Sequence, residues 1–272
     1  MGGIITTDCV VQRLTGYLWI PPHSVHDDPH FYRLVRVLYA LKESTDKLAS
    51  WYDGIQDSAL FDPLNPDSHP RFFPSPDTYP HNSAPVQFAY QAPLERNVSC
   101  VTYRAKTLED SPKDIVVKFV TSYGEDAHRE MELAGFAPKL LYYGPIDTNP
   151  DMPSYGDLRM VVMEYVKGRT FDKALERNEV PSRFKSDLLQ AIKQLHNAGY
   201  VFGDLREPNV MVTPQATPTV QLIDFDWTGK EGEVKYPRSI SGSIEWPQGA
   251  GMLELIRKEH DLEMLDRLTS RC

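Results

Sequence analysis

Hydrophobic and polar residues recur at helical spacing between residues 28 and 58, and this pattern predicts one long helix. Asp28 can cap its amino-terminal end, and Pro29 suits its first turn. The apolar positions of the stripe are Phe31, Leu34, Val35, Leu38, Leu41, Leu48, Trp51, Tyr52 and Ile55. Such a stripe is typical of a helix that packs on a protein body.

A proline-dense stretch follows the predicted helix and ends the periodic pattern. Neither a helix nor a central strand tolerates prolines this close together. The prolines are Pro63, Pro66, Pro70, Pro74, Pro76, Pro80 and Pro85, and Phe61, Phe72, Phe73 and Tyr79 are interleaved with them. We predict an ordered strap that crosses the surface. A PxxP ligand is the alternative, and the interleaved aromatic residues favour the strap.

The next part of the chain is dominated by runs of β-branched and aromatic residues, which predict strands. These runs cover residues 86–91, 98–105, 114–120, 139–144 and 158–166. Polar, turn-like segments separate the first three runs. A short helix is predicted between the third and fourth runs, at residues 124–135.

Helical patterns dominate the rest of the chain. A helix at residues 181–197 is followed by Gly199, in the position where glycine closes a helix. The segments NVMV and VQLIDF, separated by TPQATP, predict a short hairpin, and residues 250–269 are predicted to be helical. A strand-rich half followed by a helix-rich half predicts an α+β protein with two lobes. The predicted divisions are residues 1–85, 86–163 and 164–272.

Composition and charge narrow the classes of protein that fit. The chain is 41% hydrophobic and 25% charged, as expected for a globular protein, and its formal charge is −9. An acidic balance argues against a nucleic-acid partner, which would favour a basic face. Three widely separated cysteines, Cys9, Cys100 and Cys272, favour a reducing cytoplasmic or nuclear setting. No apolar run reaches the length of a membrane span, and the first residues do not have the pattern of a signal peptide, so no membrane partner is expected.

The clearest chemical signal is the segment GDLREPN at residues 203–209, followed by QLIDFDW at residues 221–227. Phosphoryl transfer needs a group that accepts the proton of the attacking hydroxyl, and oxygen ligands for the metal that neutralises the phosphates. Asp204 and Asn209 lie five residues apart, and Asp224 follows the predicted hairpin. These hard oxygen ligands suit Mg²⁺. The alternative is that the aspartates only cap turns, and the presence of both motifs in order weighs against it.

These two motifs resemble the catalytic loop and the metal loop of the protein-kinase-like superfamily. The resemblance implies that Asp204 is the catalytic base and that Asn209 and Asp224 bind Mg²⁺. Arg206 lies where protein kinases usually have a lysine that contacts the transferred phosphate. Asp226 replaces the glycine of the usual D-F-G and is expected to add a metal-facing carboxylate, as in choline and aminoglycoside kinases.

Lys118 lies inside the apolar run VVKFV, where an unpaired charge is costly. In the family that the chain resembles, a lysine on this strand holds the α- and β-phosphates and pairs with a glutamate of the following helix. The resemblance favours Glu125 as this partner, with Glu130 as the second choice. The alternative is an edge-strand lysine that faces water.

The segment MEYVKG at residues 163–168 resembles the hinge between kinase lobes. This likeness places Met163 at the gatekeeper position and the backbone groups of Glu164 and Val166 against adenine. Asp261 resembles the helix aspartate that braces the catalytic loop of protein kinases, and an ordinary surface carboxylate is the alternative.

The chain also departs from the kinase pattern. The loop between the first two strands, with LERN, has no glycine to bring backbone amides close to phosphates. The catalytic loop has F-G-D instead of H-R-D, so control by activation-loop phosphorylation is not expected. Because the chain has 272 residues, only 48 follow Asp224, which implies a small C-lobe and favours a compact acceptor.

Taken whole, the chain is similar to divergent kinase-like proteins of mushroom-forming fungi, which share an LIDFDW-type metal loop. The expected fold is a bilobal protein-kinase-like one with a small C-lobe and an N-terminal helical extension. The expected function is phosphoryl transfer from ATP, with Mg²⁺, to an unidentified hydroxyl of a small molecule or a protein. A protein Ser/Thr kinase and a pseudokinase or nucleotide-binding scaffold are the alternatives, since fold does not fix function.

Overall fold

The computed structural model describes residues 2–5, 8–11, 29–53, 74, 76–81, 84–94, 101–146, 158–213, 215–238 and 240–271. The chain divides into two units, Met1–Phe72 and Phe73–Cys272. Within the described parts of the chain, no helix combines the length and the apolar character needed to cross a membrane.

The first unit contains a two-stranded antiparallel hairpin and the predicted long helix. Strands β1 (Gly2–Ile5) and β2 (Asp8–Val11) form the hairpin, and helix α1 spans Pro29–Asp53. The predicted residues 54–58 lie outside the described part of the chain. Large apolar side chains are exposed along α1, with Leu38 at 55%. The prediction that this stripe packs on a protein body stays a prediction.

The proline-rich strap falls mostly outside the described residues, including all of residues 54–73. Its last part forms a strand that the sequence did not predict, β3 (Thr78–His81), paired antiparallel with β4 (Ala84–Pro93). Tyr79 is buried in the core below the sheet, whereas Pro80 is exposed. A proline is compatible with β3 because it is an edge strand and needs no inner ladder bond.

The second unit is built on a six-stranded antiparallel sheet in the order β3-β4-β5-β6-β8-β7. The remaining strands are β5 (Thr102–Thr107), β6 (Asp114–Val120), β7 (Leu140–Pro145) and β8 (Arg159–Glu164), and helix α2 (Glu125–Leu133) connects β6 to β7. All five predicted strands and the short helix are confirmed; β6 has its predicted bounds, and the ends of the other elements are shifted. The predicted residues 98–100 lie outside the described part of the chain.

Burial of β-branched and aromatic side chains stabilises the central strands of the sheet. Strand β4 alternates between buried and exposed positions, which is typical of a strand with one wet face. Strand β6, in contrast, buries Ile115 and four consecutive residues from Val117 to Val120. Lys118 belongs to this buried run, so its ammonium group needs partners within the fold.

Short strands and three helices make up the rest of the second unit. They are β9 (Arg169–Thr170), α3 (Phe171–Glu176), α4 (Phe184–Asn197), β10 (Tyr200–Val201), β11 (Val210–Val212), β12 (Val220–Leu222), β13 (Gly229–Lys230) and α5 (Lys258–Thr269). The predicted hairpin is confirmed as β11–β12, which β9 extends to three strands. The predicted helix at 181–197 is confirmed as α4, and Gly199 adopts a φ of +85° directly after its C-cap.

The predicted helix at residues 250–269 is wrong in its first part, because helix α5 begins only at Lys258. Residues 254–256 instead bond in an extended form to residues 234–236: Tyr236 N–H donates to Glu254 O, and Ile256 N–H donates to Val234 O. Ile256 is fully buried beside Val201 and Tyr236. Ile256 therefore fills a core pocket as extended chain, whereas Met252 and Leu253 are exposed.

Candidate functional site

Lys118, on strand β6, forms ion pairs with two carboxylates of the loop that follows β12. Its Nζ lies 2.6 Å from Asp224 Oδ1 and 2.7 Å from Asp226 Oδ1. The lysine is 6% exposed and lies on an inner strand between β5 and β8, so the alternative of a water-facing edge lysine is wrong. The structure thus brings three of the predicted site residues together.

The predicted ion pair between Lys118 and Glu125 is not made. Glu125 Oε1 accepts hydrogen bonds from the Arg129 guanidinium, with Nη2 at 2.9 Å. The second choice, Glu130, accepts a hydrogen bond from Gln194 Nε2 at 3.1 Å. The structure corrects this part of the prediction: Asp224 and Asp226 lie within hydrogen-bond distance of Lys118 and neutralise its charge.

Burial and charge set the protonation of this cluster. Burial favours neutral Lys118, but the two carboxylates outweigh it and raise the pKa of the lysine above its ordinary value. Burial also opposes ionisation of Asp224, but the Lys118 ammonium outweighs it and lowers the pKa of that carboxyl. Burial, together with the negative charge of Asp224, raises the pKa of Asp226 to about 7. The Lys118 ammonium therefore stabilises the ionised carboxylate of Asp224, whereas the Asp226 carboxyl titrates near neutral pH.

The segment from Gly203 to Asn209 forms a second cluster around Asp204. Arg206 donates to both carboxylate oxygens, from Nε to Oδ1 and from Nη2 to Oδ2 at 2.6 Å. Asn209 Nδ2 donates to Asp204 Oδ2 at 2.8 Å and to the backbone oxygen of Asp204 at 2.9 Å. Burial raises the pKa of Asp204, and the Arg206 guanidinium opposes that shift.

Three backbone features shape the two loops and connect them. Ile223 N–H donates to Asn209 O at 3.0 Å, so the two loops are bonded next to the β11–β12 hairpin. Asp224 adopts a φ of +68°, a left-handed conformation that aspartate tolerates better than most residues. Gly203 has a φ of +83°, and a Cβ there would lie 2.7 Å from Ile256 Cδ1, so the sequence needs glycine before Asp204.

Asp261 holds the backbone directly before Asp204, as its resemblance to the bracing aspartate of protein kinases implied. Its carboxylate in helix α5 is 1% exposed and accepts hydrogen bonds from Phe202 N–H at 2.7 Å and Gly203 N–H at 2.8 Å. His196 Nε2 lies 2.9 Å from Asp261 Oδ2. The alternative of an ordinary surface carboxylate is therefore wrong, and the backbone before Asp204 is fixed by a buried acceptor.

Replacing Asp261 by asparagine should destabilise the protein by about 2–4 kcal/mol, because the amide offers one acceptor where two buried N–H groups need one each. Asp266→Asn on the same helix is the matched control, since Asp266 is exposed. Urea unfolding should show a lower midpoint for Asp261→Asn and an unchanged one for Asp266→Asn. Equal midpoints would contradict the bracing role.

The predicted hinge residues occupy the end of β8. Met163 is buried against Val120 and Leu140, and Glu164 N–H donates to Lys139 O at 2.9 Å. Glu164 and Val166 line a cavity of about 900 Å³. None of the lining residues belongs to the clusters around Lys118 and Asp204. The predicted contact of the Glu164 and Val166 backbone groups with adenine stays a prediction.

Sequence reasoning missed two aromatic neighbours of these clusters. The Arg206 guanidinium lies over the Trp246 ring, 5.6 Å from its centroid. His128 of helix α2 stacks on Phe225, which lies between Asp224 and Asp226. Each residue lies far along the chain from the motif that it contacts, so no local spacing could have indicated the contact.

The candidate oxygen ligands of the two loops suit Mg²⁺ in their chemistry. In the described part of the chain, no group of three or more His, Cys, Asp or Glu side chains could hold a metal ion. Mg²⁺ typically uses one or two carboxylates and completes its shell with phosphate oxygens and water. Asp224, Asp226 and the amide oxygen of Asn209 match that requirement in their chemistry.

No known family model matches the chain. Its sequence is 25% identical over 170 residues to a serine/threonine-protein kinase of Mycosarcoma maydis, a stretch that covers 60% of this chain and 20% of that protein. It is 30% identical over 147 residues to a probable serine/threonine-protein kinase of Streptomyces coelicolor, covering 52% of this chain and 20% of that protein. The chain thus spans about a fifth of the length of these curated relatives.

Among solved structures, vaccinia related kinase 3 is similar at 17% identity and a TM-score of 0.44, over 71% of this chain and 66% of that one. The two curated likenesses support a protein-kinase-like superfamily for the chain. They do not test the finer likeness to fungal or choline-kinase-like proteins, which stays a prediction.

Proposed function

We propose that this protein is an ATP- and Mg²⁺-dependent phosphotransferase that acts on a hydroxyl group. The observation that carries the proposal is the meeting of two clusters: the Lys118 ammonium on Asp224 and Asp226, and Asp204 bonded to Asn209 and Arg206. A buried cation next to oxygen ligands for a metal ion would suit the binding of a polyphosphate. A separate buried carboxylate would suit deprotonation of the hydroxyl that attacks the polyphosphate.

Each residue of the first cluster has a proposed role toward the nucleotide. Lys118 has a buried ammonium that would bind the α- and β-phosphates. Asp224, Asp226 and Asn209 would hold Mg²⁺, which when bound supplies charge neutralisation for the phosphates. The backbone of Glu164 and Val166 would contact adenine, with Met163 behind it, as the likeness to a kinase hinge implies.

The second cluster would act on the acceptor. As the bond between the acceptor oxygen and the γ-phosphorus forms and the bond to ADP breaks, Asp204 would take the hydroxyl proton. Its raised pKa makes it a better base than a solvated aspartate near neutral pH. Arg206 already donates to Asp204, and its guanidinium would stabilise the charge on the transferred phosphoryl group.

The proposed function includes a division of the chain into two lobes. Residues 86–163 and 164–272 would form two lobes, with the nucleotide between them and residues 1–85 as an extension. Within residues 73–272 the sheet has a hydrophobic cluster of its own, and the helices share a second cluster, which also includes Ala127, Met131, Phe136 and Ala137 from residues 86–163.

A protein Ser/Thr kinase is the second candidate, since both curated relatives are described as serine/threonine-protein kinases. The two candidates differ in the acceptor. Incubation with radiolabelled ATP should leave label on this protein or on added casein if a protein hydroxyl is the acceptor. Label confined to small hydroxyl compounds would favour the small-molecule enzyme.

ATP with Mg²⁺ at a hundredfold excess over its dissociation constant should stabilise the folded protein by about 2.7 kcal/mol. Thermal unfolding measures this shift, and chelation of Mg²⁺ should reduce it because the carboxylates alone repel the phosphates. The matched control is Lys118→Met, which should bind ATP more weakly. If no nucleotide at millimolar concentration raised the unfolding temperature, the protein would instead be a scaffold.

A further inference from the structure

Arg104, on strand β5, lies on the same face of the sheet as Lys118. In the antiparallel pairing of β5 with β6, Arg104 is opposite Val116, and Thr102 is opposite Lys118. Side chains of opposite residues point to the same face of a sheet, and so do side chains two positions apart on one strand. Two positions along a strand correspond to about 7 Å. A second cation thus shares the face of the sheet that carries the candidate phosphate ligand.

Two contacts hold the Arg104 guanidinium at the end of this face that meets the predicted hinge. Its Nη2 donates to Asp114 Oδ1 at 3.0 Å, and its Cζ lies 4.6 Å from the centroid of the Tyr165 ring. Tyr165 N–H donates to Asp114 O at 3.1 Å, so the segment after β8 is bonded to the start of β6. Tyr165 stands between Glu164 and Val166, whose backbone groups are the predicted adenine contacts. The guanidinium therefore lies next to the place predicted for a base.

The Arg104 guanidinium keeps both a donor and a surface for a ligand. Its Nε–H is buried and meets no hydrogen-bond acceptor within the part of the chain that the structure describes. A buried donor is normally satisfied by an acceptor. The side chain as a whole is 39% exposed, although one face of the guanidinium rests on Tyr165. A planar guanidinium can stack on a second ring, and nucleic-acid bases stack on arginine in this way.

We propose that Arg104 binds the nucleoside part of the nucleotide: its guanidinium covers one face of the base, and its Nε–H donates to an oxygen of the sugar. This inference rests on the proposed function and adds a ligand contact from strand β5, outside the catalytic loop, the metal loop and the hinge. Asp114 and Tyr165 are positioning residues, because they fix the guanidinium from two sides. The loop LERN before β5 has no glycine to bring backbone amides close to phosphates, so a strong contact with the nucleoside compensates for a weaker contact there.

The first test compares a ligand that contains a nucleoside with one that does not. Arg104→Val should weaken the binding of ATP with Mg²⁺ about fivefold, the order expected when a cation is removed from an aromatic ring. Its affinity for tripolyphosphate with Mg²⁺ should stay unchanged, because tripolyphosphate has neither base nor sugar. The matched control is Arg183→Val, which removes an arginine that pairs with Asp187 in helix α4 and should change neither affinity. Calorimetry measures both ligands.

Three results of this test would overturn the proposal. Equal losses for ATP and tripolyphosphate would show that the charge of Arg104 only attracts phosphates. Tighter binding of ATP to Arg104→Val would show that the arginine obstructs the base. An unchanged affinity for ATP would show that Arg104 does not contact the nucleotide.

The second test separates the shape of the guanidinium from its charge. Arg104→Lys keeps the charge but loses the planar group and its Nε–H, so it should bind ATP about as weakly as Arg104→Val. Tyr165→Leu keeps Arg104 and removes the ring on which it rests, so the affinity for ATP should fall about twofold and that for tripolyphosphate should not change. These variants provide the comparison if Arg104→Val does not fold. Undiminished ATP binding in Arg104→Lys would show that charge alone acts, contrary to the proposal.

The two hypotheses fail in different ways. If the unaltered protein bound neither ATP nor tripolyphosphate with Mg²⁺, the proposed function would be wrong, and Arg104 would have no nucleotide to bind. If the unaltered protein bound ATP with Mg²⁺ and the Arg104 variants bound it equally tightly, only the inference about Arg104 would be overturned.

Discussion

Replacing Asp204 by alanine should lower the rate of phosphoryl transfer by about a hundredfold or more, the usual contribution of a positioned base. The affinity for ATP should stay within about threefold, a change of under ~0.7 kcal/mol, because Asp204 is proposed to touch only the acceptor hydroxyl. ATP hydrolysis or autophosphorylation gives the rate while the acceptor is unidentified, and calorimetry gives the affinity.

The control for this prediction is Asp126→Ala, which removes an exposed carboxylate from helix α2. Asp204→Asn is a second variant, because it keeps a side chain for Asn209 and Arg206 to bond and so separates lost chemistry from local rearrangement. Full activity in both Asp204 variants would exclude this residue as the base.

Asp224→Asn should have a still larger effect, since it should abolish turnover and also weaken Mg²⁺-dependent binding of ATP. The substitution keeps the shape of the side chain and removes the charge that Lys118 and Mg²⁺ both need. The measurement is ATP affinity with and without Mg²⁺. The ratio of the two affinities should fall toward one in the variant, whereas Asp126→Asn should leave it unchanged.

The two aspartate predictions also test each other. If Asp204→Ala kept full activity and Asp224→Asn lost it, the protein would bind metal and ATP but would use a different base. The phosphotransferase hypothesis would then give way to another chemistry on the same fold. Undiminished binding and turnover in Asp224→Asn would contradict the metal site itself.

The elements that the sequence predicted best are those with a strong local pattern. Strand β6 matches its predicted bounds, Asp114–Val120, because the short apolar run DIVVKFV is rich in β-branched residues, which favour a strand. Helix α4 ends where Gly199 takes a positive φ, which glycine does at little cost. In both places the local preference and the global fold agree.

The predictions that failed lie where tertiary contacts override local preference. Residues 250–257 have enough apolar residues to suggest a helix, but Ile256 fills a pocket beside Tyr236 as extended chain. Strand β3 carries a proline in its short run, so its pattern is weak, and pairing with β4 is what fixes it. The strands β9, β10 and β13 have two residues each, too few for any period to show.

For the candidate site, the sequence motifs identified the residue types. The fold determined which of these residues bond to each other. GDLREPN and LIDFDW named Asp204, Asn209 and Asp224, and the structure places both segments side by side. The partner of Lys118 was predicted wrongly, because the nearest carboxylate to a buried ammonium depends on how two distant segments pack. The roles assigned to these residues stay predictions.

By itself, the sequence determined the mixed α and β character of this protein, its main strands and the chemical groups of its candidate site, because periodicity and spacing are local properties. Only the tertiary structure decided that Lys118 bonds to Asp224 and Asp226, that Asp261 accepts the hydrogen bond of Gly203 N–H, and that His128 stacks on Phe225. The residues in each of these contacts are 58 or more positions apart in the chain. Such contacts are set by the packing of whole elements, which no local pattern encodes.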